Sequence, residues 1–135
     1  MRFLGALSAM GMAGIIWYVQ VVHYPLFSAV GAEAWFPYHL DHERRTGWVV
    51  APLMICELGS AAALVIIGGH GLLAVAGLVL AAVTWVVTFM LAVPLHRQLN
   101  RERDEAAMRR LVNVNWLRTI AWTAHGVIAL ALLAS

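Results

Sequence analysis

Four long apolar runs alternate with polar connections along this chain. The runs cover residues 3–23, 48–67, 72–93 and 111–133, each close to the ~20 residues that an α-helix needs to cross a bilayer. The first carries small residues at Gly5, Ala9 and Ala13, a stripe that lets helix backbones approach closely. The second ends in Gly68-Gly69-His70-Gly71, a tight-turn signal. The third has no charge at all. The pattern predicts an all-α fold, a four-helix transmembrane bundle forming one integral membrane domain over residues 1–135. The opening Met1-Arg2-Phe3-Leu4 has the look of a signal peptide, but the apolar run reaches Val22, longer than an ordinary h-region. It is read as the first span.

The two long connections, 24–47 and 95–110, are polar. Residues 34–40 mix aromatics with polar side chains, as an interfacial segment does. Residues 95–110 carry five arginines together with Glu102, Asp104 and Glu105. Arg44, Arg45, Arg97, Arg101, Arg103, Arg109 and Arg110 all fall in the connections, against Arg2 alone on the other side. The positive-inside rule then predicts cytoplasmic connections in a bacterial cytoplasmic membrane, with both termini outside. The arginine-rich connection fits an anchor on anionic membrane lipids. Trp17, Trp35, Trp48, Trp116 and Trp122 sit mostly where an interfacial belt puts tryptophan.

Composition agrees with this reading. Hydrophobic residues make up 62% of the 135 and charged residues 12%, with mean hydropathy +0.79, whereas a soluble domain is about half apolar and a quarter charged. The net charge of +2 is small and local and gives no reason to expect a nucleic-acid partner. The one cysteine, Cys56, has no internal disulfide partner and reads as a small buried apolar residue.

Candidate chemistry starts from residues 113–122. Asn115, Arg118, Thr119 and Trp122 follow i, i+3, i+4, i+7 spacing and share one helix face. An arginine in hydrocarbon is costly unless it faces a partner or a wet cavity, so Arg118 marks a functional site by default. The carboxylate available within another apolar run is Glu57. Its depth depends on where the second helix begins: near the midplane if at Trp48, near the cytoplasmic rim if Pro52 takes the first helical turn. The second register, preferred here, sets Glu57 level with His23, His96 and Arg118. Gln20 and His23 lie i, i+3 apart, as do His39 and His42. Topology gathers four of the six histidines at one end, leaving His70 and His125 elsewhere.

Imidazole and carboxylate together suit iron, copper or zinc, and helix bundles build such sites from inward Glu and His on different helices. The expected transition-metal ligands are His23, His42, Glu57 and His96. Arg118 and Asn115 are the candidate catalytic residues, orienting the substrate. Gln20 and Trp122 are candidates for supporting the cofactor, Gln20 as a hydrogen-bond partner of a ligand. Bland readings stand beside these. Glu57 and Arg118 also suit a plain intramembrane ion pair, His23 and His96 suit water- and headgroup-satisfied helix ends, and His39 and His42 suit a solvated loop face. His125, one turn beyond Trp122, suits an axial haem ligand only with a second histidine at matching depth, and none is evident.

Short internal matches point to a duplicated helical hairpin about an axis along the membrane normal. His23-Tyr24-Pro25-Leu26 resembles Val93-Pro94-Leu95-His96, and Arg45-Thr46-Gly47-Trp48 resembles the stretch from Arg118-Thr119 to Trp122.

The motifs Gln20-Val-Val-His-Tyr-Pro-Leu-Phe27, His42-x-x-Arg45-Thr46, Pro52-x4-Glu57, Pro94-x-His96 and Asn115-Trp-x-Arg-Thr-x-x-Trp122 together resemble a group of small bacterial four-helix membrane proteins. That resemblance implies a four-span fold and no particular activity. A more distant likeness, in size and span count, is to the anthrone-oxygenase-like membrane proteins, which implies oxidation chemistry without assigning any residue. Three expectations follow. The first is a metal-dependent membrane oxidoreductase acting on a lipophilic small molecule at a cytoplasm-facing cavity. The second is a quinone- or isoprenoid-type binding or transport protein without turnover. The third is a structural subunit of a membrane complex. Self-association through the small-residue faces is a further expectation.

Overall fold

The computed structural model describes residues 1–68 and 71–134; the expected turn at Gly69 and His70 lies outside the described residues. Among the described residues, five α-helices form four long apolar rods. The first rod is α1 (Arg2–Tyr18), continued by a π-helical turn (Val19–His23) and a 3-10 turn (Pro25–Ala29). The second is α2 (Ala32–Ile67). The third joins α3 (Leu72–Val87), a second π turn (Thr88–Ala92) and α4 (Val93–Leu99), and the fourth is α5 (Glu105–Ala134). All four are long and apolar enough to cross a bilayer. The chain is thus an all-α four-helix bundle of membrane type.

The outer surface supports that class. Trp48, Ile55, Ile66, Val79, Val86, Met90, Ile120 and Val127 are all exposed, while Gln20, Glu57, Thr84, Asn115, Arg118, Thr119 and His125 are buried. Water would oppose such an inside-out arrangement, and lipid favours it. The small-residue stripe of α1 is used within the chain. Gly5, Ala9 and Ala13 are all buried. Ideal Cβ positions would fall 3.2 Å from Ser60 Cβ at Gly5 and 3.1 Å from Met10 Sδ at Gly126. Glycine at these two places lets α1 nest closely against α2 and α5.

Two features differ from the sequence reading. Helix α2 starts at Ala32, not near Trp48 or Pro52, and Pro37 and Pro52 both lie inside it. Its 36 residues extend for about 54 Å at 1.5 Å per residue, well past a hydrocarbon core of about 30 Å. The register that put Pro52 in a first helical turn is therefore corrected: a continuous α2 places Glu57 beside Trp122 and His125.

The second feature is the pair of π turns. Each ends just before a proline, Pro25 or Pro94, and the Tyr24 amide bonds back five residues to the Val19 carbonyl at 3.0 Å. A proline ring clashes with the carbonyl four residues before it, and the wider turn makes room. The Pro-Leu matches in the sequence thus share a local backbone form.

Candidate functional site: a histidine cluster and an intramembrane polar file

The π turn delivers His23, the next residue is Tyr24, α2 contributes His39 and His42, and α4 contributes His96. Phe27, fully buried, is the apolar post around which these rings pack. Its centroid lies 5.3 Å from His23, 5.7 Å from His39 and 5.1 Å from His42, each edge-on. Trp35 stacks on His39 at 4.9 Å and donates its indole N–H to the Leu99 carbonyl at 3.0 Å, tying α2 to the end of α4. Arg103 fastens the connection after α4 to the carbonyls of Val30 and Ser28.

The imidazoles form two hydrogen-bonded sets. In the first, His23 Nε2 meets His42 Nδ1 at 2.7 Å, and Thr46 Oγ1 reaches the same nitrogen at 3.1 Å. In the second, Tyr24 Oη meets His96 Nε2 at 3.0 Å, His96 Nδ1 meets His39 Nε2 at 3.0 Å, and His39 Nδ1 meets Asn100 Oδ1 at 2.7 Å. Asn100 then donates its amide to Glu43. With both imidazoles neutral, one assignment of protons satisfies this chain. The Asn100 carbonyl only accepts, so His39 carries its proton on Nδ1 and accepts at Nε2. His96 must then donate from Nδ1 and accept the Tyr24 hydroxyl proton at Nε2. Every bond points toward the Glu43 carboxylate.

Deeper in the bundle a second network begins. Asn115 donates to Gln20 Oε1 at 3.0 Å, Thr119 reaches the same oxygen at 3.4 Å, and Gln20 donates to the Val112 carbonyl at 3.2 Å. Arg118 donates to Asn115 Oδ1 at 3.2 Å and approaches the Tyr24 hydroxyl. Its Cζ stands 5.0 Å from the centre of the Trp122 ring. The edge of that indole donates from Nε1 to Glu57 Oε2 at 2.8 Å. Trp122 therefore separates Arg118 from Glu57, giving the cation its π face and the carboxyl its N–H. The plain ion pair read from the sequence becomes a pair bridged by an indole. Beyond it, His125 Nδ1 lies 3.4 Å from Glu57 Oε1 without hydrogen-bond alignment.

Next to the His23–His42 pair, α1 and α2 diverge to leave a groove of about 770 Å³. Ile15, Val19, Val49 and Val50 line it, and its polar lining is made by the two imidazoles with Tyr38, Asp41, Arg45 and Thr46.

The expected site residues are thus partly assembled. Gln20, Asn115 and Arg118 share one network, which Trp122 joins to Glu57. His23 and His42 are in contact, while His96 bonds to His39 and Tyr24. Glu57 is bonded to Trp122 and not to any of these histidines. Among the described residues, no group of three or more His, Cys, Asp or Glu converges as a metal centre would require. Both ring nitrogens of His39 and of His96 are engaged in hydrogen bonds. The donors as arranged do not fit the expected ion.

Tyr24, His39, Glu43, Asn100 and His125 are the participants that the sequence reading missed or set aside. For His39 a signal existed: Trp35, His39 and His42 follow i, i+4, i+7 spacing, one face of a helix. Comparison with protein-family models, curated proteins and solved structures finds no match.

Proposed function

We propose that this integral membrane protein binds a lipophilic small molecule of quinone or isoprenoid type in the groove between α1 and α2. The observation that carries this reading is the groove itself: about 770 Å³ of largely apolar space bordered by two imidazoles, Asp41 and Arg45. Ligand sites of a few hundred to a thousand Å³ with a few convergent polar groups have this form. The apolar walls suit an isoprenoid or alkyl tail, and His23 and His42 suit a ring carbonyl or hydroxyl at its head. With the arginine-rich connections cytoplasmic, the head of the ligand faces the cytoplasmic side. The binding reading needs no resident ion.

The test is equilibrium binding of decylubiquinone and farnesol to the purified protein in nanodiscs. Val49→Trp, on the groove wall and exposed, is expected to weaken binding at least about tenfold, ~1.4 kcal/mol, with the circular dichroism spectrum unchanged. His23→Ala should weaken the binding of head-bearing ligands while sparing plain alkanes. Unchanged affinity in Val49→Trp overturns the proposal. Chelation should leave affinity intact, and loss of binding on chelation would reinstate the metal-dependent reading.

A further inference from the structure

The polar file does not stop at Trp122. On its far side lies a small cavity lined by Glu57, His125, Ala61, Gly77 and Ala129, with Arg2 at the end of the bundle where the N-terminus sits. Small residues on α1, α2, α3 and α5 create it, because their side chains end before they meet. Its volume is about 20 Å³, and a single water needs roughly 10–15 Å³ with two to four polar partners. The partners are present. Among the described residues, Glu57 Oε1 and His125 Nδ1 are buried without a hydrogen-bond partner, and both residues line the cavity. Glu57 is fully buried and His125 is 4% exposed. Left dry, these two atoms, 3.4 Å apart in a bilayer interior, would each forfeit a hydrogen bond. A water in the cavity, to one side of the 3.4 Å gap between carboxyl and imidazole, serves both at once.

We infer that Glu57 and His125 form a hydrated acid–base site, holding one water and exchanging a proton with the solution at the N-terminal end of the bundle. The step is a proton transfer alone. Glu57 Oε1 takes a proton from the water as the water takes one from the solution at the N-terminal end, the reverse relay returns it, and His125 Nδ1 holds the water in place by a hydrogen bond. Glu57 keeps its second oxygen on the Trp122 indole throughout. The groups facing this site are His125 and, behind the indole, Arg118 from α5, together with Arg2 from α1. Helix α3 contributes Ala74 and Gly77, neither of which titrates. The site stands independently of the ligand groove, which lies at the histidine end.

Infrared difference spectroscopy of the protein in nanodiscs tests this. A pH titration of the wild type should show a protonated-carboxyl stretching band that is absent in Glu57→Gln. Transfer to D₂O should shift that band within the mixing time. Ala129→Leu, which fills the cavity without touching either group's chemistry, should slow the shift at least about tenfold. His125→Asn should move the midpoint of the titration. If Glu57→Gln fails to fold, the Ala129→Leu exchange rate and the His125→Asn midpoint still decide the matter. A wild-type band with no isotope shift, or equal exchange in wild type and Ala129→Leu, overturns the inference.

Discussion

Replacing Trp122 by phenylalanine keeps a ring beneath Arg118 but removes the N–H that holds Glu57. The carboxyl then has no hydrogen bond from the protein on either oxygen, since Oε1 already lacks one. Leaving a buried acceptor unsatisfied costs about 1–3 kcal/mol, and more when it is charged. Hydrogen bonds between membrane helices average only about 0.6 kcal/mol, with a maximum near 1.7, because the unfolded chain in the membrane finds other partners. Glu57 is fully buried and Trp122 is its one hydrogen-bond donor among the described residues, so the upper part of the membrane range applies and coupling of about 1.5 kcal/mol is expected. Loss of indole volume and a weaker cation–π contact add roughly 1 kcal/mol more. A double-mutant cycle separates these contributions: Trp122→Phe measured in wild type and in Glu57→Leu, by unfolding in mixed micelles followed by circular dichroism. The wild-type background should lose ~2.5 kcal/mol and the Glu57→Leu background only ~1. Equal losses in both would show that the indole–carboxylate bond contributes nothing, and the bridged-pair account would fail.

Two further variants probe other parts of the bundle. Tyr24→Phe removes the donor to His96 Nε2 while keeping the ring packed on Phe27; nitrogen NMR should show His96 losing its single tautomer, with about 1 kcal/mol of stability lost, and an unchanged His96 signal would refute the proton assignment. Gly126→Leu drives a side chain toward Met10 and Ala13 and should cost at least about 1–3 kcal/mol by overpacking; a thermal unfolding midpoint equal to wild type would mean that α1 and α5 do not approach as described.

The four rods were legible because lipid-facing residues need only be apolar, and hydropathy counts that directly. The start of α2 was not, because residues 32–47 contain Pro37 and many polar groups and so resemble a connection. Their helical period is present all the same, in Trp35, His39 and His42, but it is written in residues that a hydropathy window scores as loop. The shared face of Asn115, Arg118, Thr119 and Trp122 was read correctly from spacing, since all four are buried on α5. What spacing could not supply was the partner across the bundle. Whether Glu57 meets Arg118, a histidine or an indole depends on the rotation of α2, and a proline inside that helix leaves the rotation open to sequence reasoning. His39 was set aside for a related reason: a histidine beside acidic and basic neighbours looks solvated until an aromatic pair is folded over it.

The two π turns carry a consequence for how this chain tolerates changes in length. Each uses one residue more than an α-helical path between the same points, so it amounts to an inserted residue in the backbone. Removing a single residue within 19–23 or 88–92 would let the backbone close into an ordinary α-helix. Everything on one side of the deletion would then swing by about 100° relative to the other. Tyr24 would leave His96 in the first case, and His96 would leave His39 in the second. The polar residues of this bundle are therefore held in place by counting as much as by identity: a chain that kept every histidine but lost one residue from either turn would align with this one only across a gap, and would not rebuild its hydrogen bonds.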